Sequence, residues 1–236
     1  MQQRKSTASL PMLTLYYSPY ACSLASHIVL EESRLPYQAV SVDIRAGDNA
    51  RPDYLKISPS GMVPALGIGD AVLTESQAIL TYIADLVPES GLIPRAGTIE
   101  RARAHEWMNW LSSSLHVTYR SAFRPRTYAG EDPGAIVAVQ ELARKKLAAN
   151  LSELEARLGG APYALGAEFS VVDAYLFVFY LWSFDARLQI ALPARPSYGA
   201  LAARVWARKA VQTAVARERR VRAYDLPSEF VLALAG

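Results

Sequence analysis

The sequence predicts an α/β domain followed by an all-helical one, and three observations carry that reading. The first 87 residues alternate short β-prone runs with helical spacings, a Pro- and Gly-rich stretch follows, and every later segment has helical periodicity. A length of 236 residues suffices for two domains. The division read from the chain is a loose leader at 1–11, an α/β domain at 12–87, a linker at 88–98 and a helical domain at 99–236.

Leu13-Thr14-Leu15-Tyr16-Tyr17 is β-prone and closes on Ser18-Pro19, so it reads as a first strand entering a turn. Leu24, Ile28, Val29 and Leu30 fit one helical face, in a helix ending near Ser33 or Arg34. Tyr37 to Asp43 alternates as a strand, and Pro52 to Ile57 forms a short helix. The turn cluster Ser58-Pro59-Ser60-Gly61 leads to strands at Ala65 to Ile68 and Ala71 to Thr74, joined by Gly69-Asp70. Ile79, Leu80, Ile83 and Leu86 mark a helix from Ser76 to Leu86, giving the order βαβαββα.

Beyond the linker, long helices are expected at Ile99 to about Arg120 and at Pro133 to about Leu158, the second started by its proline and stopped by Gly159-Gly160. Shorter helices are expected near Val172 to Asp185, Pro196 to Ala207 and Ala210 to Glu218, with the tail Leu226 to Leu234 covering a neighbouring surface. Ser170 and Asp173 stand at capping-box spacing before a run that is apolar nearly all round, which places that helix at the centre of its domain and gives Asp173 a folding role.

The composition excludes several function classes. A net charge of +3 implies neither nucleic acid nor an anionic membrane as partner. The most apolar run, Val171 to Phe184, contains Asp173 and falls short of the about 20 residues a bilayer requires, so no membrane insertion is expected. Cys22 is the single cysteine, which rules out an intrachain disulfide and a multi-cysteine metal site. No metal is expected, and a reducing cytoplasm is the expected compartment.

Cys22 stands at the junction of the first strand and the first helix, where helix-terminal amides favour a thiolate; a small buried hydrophobe is the alternative reading. The run Cys22-Ser23-Leu24-Ala25 holds no second thiol, so a partner thiol has to come from a small molecule. At Val63-Pro64, a cis bond presenting Val63 backbone groups to an extended ligand and an ordinary trans edge proline are both open. Thr74-Glu75-Ser76-Gln77 closes a strand and opens a helix, so Ser76 with its amides suits a carboxylate while Glu75 suits an ammonium group; an ordinary N-cap is the alternative. Asn109, Ser113 and His116 fall on one face of the expected long helix, as a polar stripe or merely a solvated face. His27 and His105 read as structural.

These segments, in order, resemble the glutathione S-transferase family, the bacterial beta class in particular, from residue 13 to about 218. The carriers are Tyr16-Tyr17-Ser18-Pro19-Tyr20-Ala21-Cys22-Ser23-Leu24-Ala25-Ser26-His27-Ile28, Gly61-Met62-Val63-Pro64-Ala65-Leu66, Leu73-Thr74-Glu75-Ser76, Glu106-Trp107-Met108-Asn109-Trp110 and Phe169 through Phe177. The resemblance implies a thioredoxin-like domain, a helical domain, a homodimer, and glutathione as co-substrate at a cis proline. It further implies that Cys22 lies beside the glutathione sulfur, that Val63 pairs with the glutathione backbone, that Glu75 and Ser76 hold the γ-glutamyl end, and that Asn109 and Ser113 to His116 approach the site. Three positions depart from the family pattern: Tyr20 replaces a glycine, Val117 a lysine after His116, and Gly47 a lysine for which Arg45 is the available substitute.

The expected activity is conjugation of glutathione to small apolar electrophiles, with Cys22, Ser23, Tyr17 and His116 as catalytic candidates. The expected glutathione-binding set is Cys22, Arg45, Val63, Pro64, Glu75, Ser76, Asn109, Ser113 and His116. Alternatives are a thiol reductase or peroxidase using Cys22 as nucleophile, and a non-catalytic scaffold on the same fold.

Overall fold

A computed structural model of the chain describes residues 11–189, 192–228 and 230. Residues 1–10 of the expected leader, and 229 and 231–234 of the expected tail, lie outside the described residues.

The N-terminal unit runs β1 (Leu13–Tyr17), α1 (Leu24–Ser33), β2 (Tyr37–Ser41), α2 (Pro52–Ile57), β3 (Ala65–Ile68), β4 (Ala71–Thr74) and α3 (Ser76–Leu86), the thioredoxin-like order. Its four strands form a mixed sheet in the order β2-β1-β3-β4. β1 lies parallel to β2, with Leu13 opposite Tyr37, and antiparallel to β3, with Leu15 opposite Leu66. Leu13, Leu15 and Tyr17 alternate inward along β1, so one sheet face meets α1 and α3. The opposite face carries a smaller cluster of Val42, Tyr54 and Val63. Eight of the ten α1 residues, Leu24 to Leu30 and Ser33, are buried, because this helix is enclosed by the sheet, α3 and two helices of the second unit.

The helical unit comprises α4 (Ile99–Trp110), α5 (His116–Phe123), α6 (Arg126–Ala129), α7 (Pro133–Leu158), α8 (Val171–Trp182), α9 (Pro196–Trp206) and α10 (Lys209–Val221). Between α4 and α5 the chain makes a π-helical turn, Leu111–Leu115, so the single helix expected from Ile99 to about Arg120 is interrupted. One inserted residue rotates everything after it by about 100° around the axis relative to an unbroken α-helix. The periodicity of apolar residues did not reveal it, since Leu111 and Leu115 are buried with or without the extra residue.

α7 begins as read from its proline: Pro133 occupies the first turn, the Asp132 carboxylate accepts the Ala135 N–H at 2.6 Å, and Gly159 closes the helix at φ 55°. Every side chain of α8 is buried. Its start is a complete capping box, in which Ser170 accepts the Val172 N–H while Asp173 accepts the Ser170 N–H at 2.8 Å and its hydroxyl at 2.9 Å. α8 packs on α1, which carries the order of the helical unit directly to the end of β1 where Cys22 resides. No helix among the described residues is long and apolar enough to cross a membrane.

Candidate functional site

Cys22 sits one residue before Ser23, the N-cap of α1, and is 8% exposed. The Val63–Pro64 bond is cis, and the Cys22 thiol donates to the Val63 carbonyl at 3.3 Å across the groove between α1 and β3. Behind Val63, Tyr54 donates to the Met62 carbonyl at 2.7 Å and Asn49 to the Gly61 carbonyl at 2.9 Å, so the segment before the proline is held from beneath. Gly61 is required there: its φ is +63°, and a Cβ would approach the Asn49 carbonyl oxygen to 2.9 Å.

The expected acidic thiol is not what this environment produces. Burial pushes the Cys22 thiol up to about 11, with Glu75 adding to the rise, while the Ser76 hydroxyl and the backbone amides of Cys22 and Ser23 oppose it. The helix start acts as expected in direction, but loss of water outweighs it. The thiol is therefore protonated and able to donate at neutral pH.

Ser76 is buried at the first turn of α3 and Glu75, at φ 70°, is the N-cap residue, so the cap falls one position earlier than a serine cap would place it. The Glu75 side chain makes no capping bond and is exposed, and its charge reaches both Cys22 and Tyr175. Cys22, Val63, Pro64, Glu75 and Ser76 thus come together around one groove, from three elements far apart in sequence.

The second unit adds a side that the sequence reading did not assign. Tyr175, on α8 and wholly buried, is acted on by Cys22 and Glu75 and interacts with the Ser76 hydroxyl; its own hydroxyl lies 3.4 Å from His116 Nδ1. A lone phenol in the run Ala174-Tyr175-Leu176-Phe177 was the available signal, because a buried tyrosine hydroxyl needs a partner. His116 packs against Trp182 at 5.3 Å and Phe179 at 5.6 Å, and burial followed by the Arg120 charge pulls its imidazole down to about 4, so it is neutral at pH 7.

The polar stripe is a correction. The π turn sends His116 inward onto α8, while Asn109 and Ser113 remain exposed, with the Ser113 hydroxyl donating to the Asn109 carbonyl at 2.8 Å. Tyr17 and Ser23 also stand differently from their expected roles. The Tyr17 ring faces inward against His27 at 5.1 Å, and the charges acting on it are Glu218 and Arg217 of α10, so its position gives no support for a donor to the sulfur. The Ser23 hydroxyl is engaged with Ser18, donating to its carbonyl and accepting its N–H, both at 3.2 Å; only the Ser23 backbone amide acts on the thiol. Arg45 is exposed and lies near Asp185 and Arg222, while Gly47 takes φ 84° in a turn with open space where a side chain would project.

His27 and His105 behave structurally: His27 Nδ1 meets the fully buried Glu218 carboxylate at 3.1 Å, and His105 Nδ1 meets Gln77 at 3.1 Å. Among the described residues no group of three or more His, Cys, Asp or Glu side chains is placed to hold a metal ion. A cavity of about 260 Å³ lies on the α9–α10 side, lined by Trp206, Gln212 and Arg219 among others, and carries none of the chemistry gathered at Cys22.

Comparison with known proteins bears on the same residues. The N-terminal domain model of the glutathione S-transferases matches residues 11–85, and their C-terminal domain model matches residues 137–203. Glutathione S-transferase GST-4.5 of Xanthomonas campestris pv. campestris is 37% identical over 179 residues, covering 76% of this chain and 86% of that protein. A glutathione transferase homologue from Sulfitobacter, solved with bound glutathione, superposes with a TM-score of 0.80 at 33% identity, covering 88% of this chain and 99% of that one. The bacterial beta-class transferase of Sphingomonas chungbukensis superposes with a TM-score of 0.74 at 37% identity, over 87% of this chain and 98% of that one. The chain is an enzyme of the glutathione S-transferase family.

Proposed function

We propose that the protein conjugates glutathione to small apolar electrophiles, as a detoxifying homodimer in the cytoplasm, with 12–87 as the glutathione-binding domain, 88–98 as linker and 99–236 as the helical domain. The observation that carries the reading is the buried Cys22 thiol, 3.3 Å from the Val63 carbonyl beside a cis proline. A tripeptide lying along that groove exchanges backbone hydrogen bonds with Val63, and its sulfur comes to rest beside Cys22. A thiol held up to about 11 donates a hydrogen bond to a neighbouring thiolate, which favours the ionised form of the co-substrate without itself attacking. Glu75, free of capping duty, serves the ammonium of the γ-glutamyl end, and the buried Ser76 hydroxyl with the α3 amides serves its carboxylate.

Asn109, Ser113 and Arg45 belong to the rim in this reading, as exposed groups within reach of solvent rather than of the sulfur. His116 with Phe179 and Trp182 forms an aromatic wall suited to an apolar acceptor, and the neutral imidazole adds no charge to it.

The Cys22→Ala and Glu75→Ala variants test the assignment together. With Cys22 a donor, its loss lowers kcat/KM for a chlorodinitrobenzene acceptor by about tenfold to a hundredfold, the worth of one hydrogen bond to a charged group, and leaves conjugation measurable. With Cys22 a nucleophile, glutathione-dependent disulfide reduction is the main activity and disappears in the variant. Glu75→Ala weakens glutathione binding more than Cys22→Ala does, since it removes a charged anchor; calorimetry showing the reverse order sinks the assigned roles.

A further inference from the structure

The chain beyond α10 lies against the loop that carries the thiol. Arg222 donates to the Pro19 carbonyl, and the Tyr224 ring packs on Tyr20 at a tilt of 36° with centroids 4.9 Å apart. At the end of α10 the buried Glu218 carboxylate accepts the Tyr20 backbone N–H at 3.0 Å. Farther along, Phe230 is buried against Trp206 at 5.2 Å and Phe177 at 5.8 Å. The segment is thus anchored in the helical core at Phe230 and on α10 at its start, with the Tyr224 ring pressed on Tyr20 between them.

Tyr20 needs such support. Its φ of 65° is a conformation in which a bulky side chain is strained and glycine is not. The residue is held by contacts outside its own loop: the ring hydroxyl donates to the Leu181 carbonyl at 2.9 Å, and Trp182 Nε1 donates to the Tyr20 backbone carbonyl at 2.9 Å. Tyr20 and Tyr224 thus meet two residues from the thiol.

We propose that Arg222, Tyr224 and Phe230 form a strap that holds the Ser18–Cys22 loop closed, with Tyr224 as a positioning residue that governs how often Cys22 becomes reachable. Among the described residues the buried phenol oxygen of Tyr224 has no hydrogen-bond partner, so the role falls to the ring and not to the hydroxyl. The consequence for turnover rests on the glutathione reading of the groove; the consequence for the thiol does not.

Cys22 is the only thiol, so its rate of labelling by a disulfide reagent in the ligand-free, full-length protein reports on this loop alone. Tyr224→Ala should label roughly two- to tenfold faster, the range set by one aromatic pair, and Tyr224→Phe at the wild-type rate. Tyr20→Gly, which suits the left-handed backbone, should also label faster, and adding Tyr224→Ala to it should bring little further increase. Leu201→Ala on α9, a fully buried core site that makes none of the strap contacts named above, is the control for general loosening and should leave the rate unchanged. An unchanged Tyr224→Ala rate, equal acceleration in Tyr224→Phe, or equal acceleration in Leu201→Ala overturns the strap. Absence of glutathione retention with the labelling pattern intact would instead remove the glutathione reading and leave the strap standing.

Discussion

Removing the carboxylate of Asp173 tests how the centre of the helical unit is held. Three donors converge on it: the Ala164 N–H at 2.8 Å, the Ser170 N–H at 2.8 Å and the Ser170 hydroxyl at 2.9 Å. In Asp173→Ala the hydroxyl can turn to another partner, but two backbone donors lose theirs, one of them in a fully buried setting. At about 1–3 kcal/mol for each orphaned buried donor, discounted for the half-buried Ala164, the expected loss is about 3 kcal/mol. For a chain of this length that corresponds to a Tm lower by about 6–12 °C. Burial also pushes the Asp173 carboxyl up to about 6 against the donors that favour its ionised form. Because the folded pKa is raised above the unfolded value of about 3.9, this group's contribution is fully present below that value and declines as pH rises through about 6. The gap between wild type and Asp173→Ala should therefore be widest near pH 4 and narrower at pH 7, measured by urea unfolding at both. A gap under about 1 kcal/mol at both values, or one that widens toward pH 7, refutes the reasoning.

Two further outcomes follow from the site. With burial holding the Cys22 thiol up to about 11, the alkylation rate of the ligand-free protein should keep rising above pH 9, and a plateau near pH 8 would show the helix start prevailing over burial. His116→Ala should lower stability by about 1–3 kcal/mol together with kcat/KM, because the ring packs on Trp182 and Phe179 and meets Tyr175, and an activity loss at unchanged Tm would return His116 to an open polar rim.

The amino-acid sequence by itself determined the order of elements, since a period of two followed by a period of 3.6 is written in side chains that must face a core. It also determined the local devices that depend on neighbours in the chain: Pro133 at a helix start, Gly159 at its end, and the Ser170–Asp173 box. Cys22, Val63 and Ser76 reach one groove because β3 pairs with β1 in the sheet and α3, which follows the β3–β4 hairpin, packs against α1. The tertiary structure alone decided what depends on burial and on partners distant in sequence. The Cys22 thiol rises because the folded protein buries it, which no local pattern expresses. The π turn is an extra residue in a helix whose apolar pattern tolerates it, and that residue is what separates His116 from Asn109 and Ser113. Tyr17 carries the same phenol in either reading, and only the buried His27–Glu218 pair, 191 residues apart, shows which side of β1 it serves. Tyr175 reads as filler in an apolar run until α8 is laid against α3 and α5, where its hydroxyl finds Ser76 and His116.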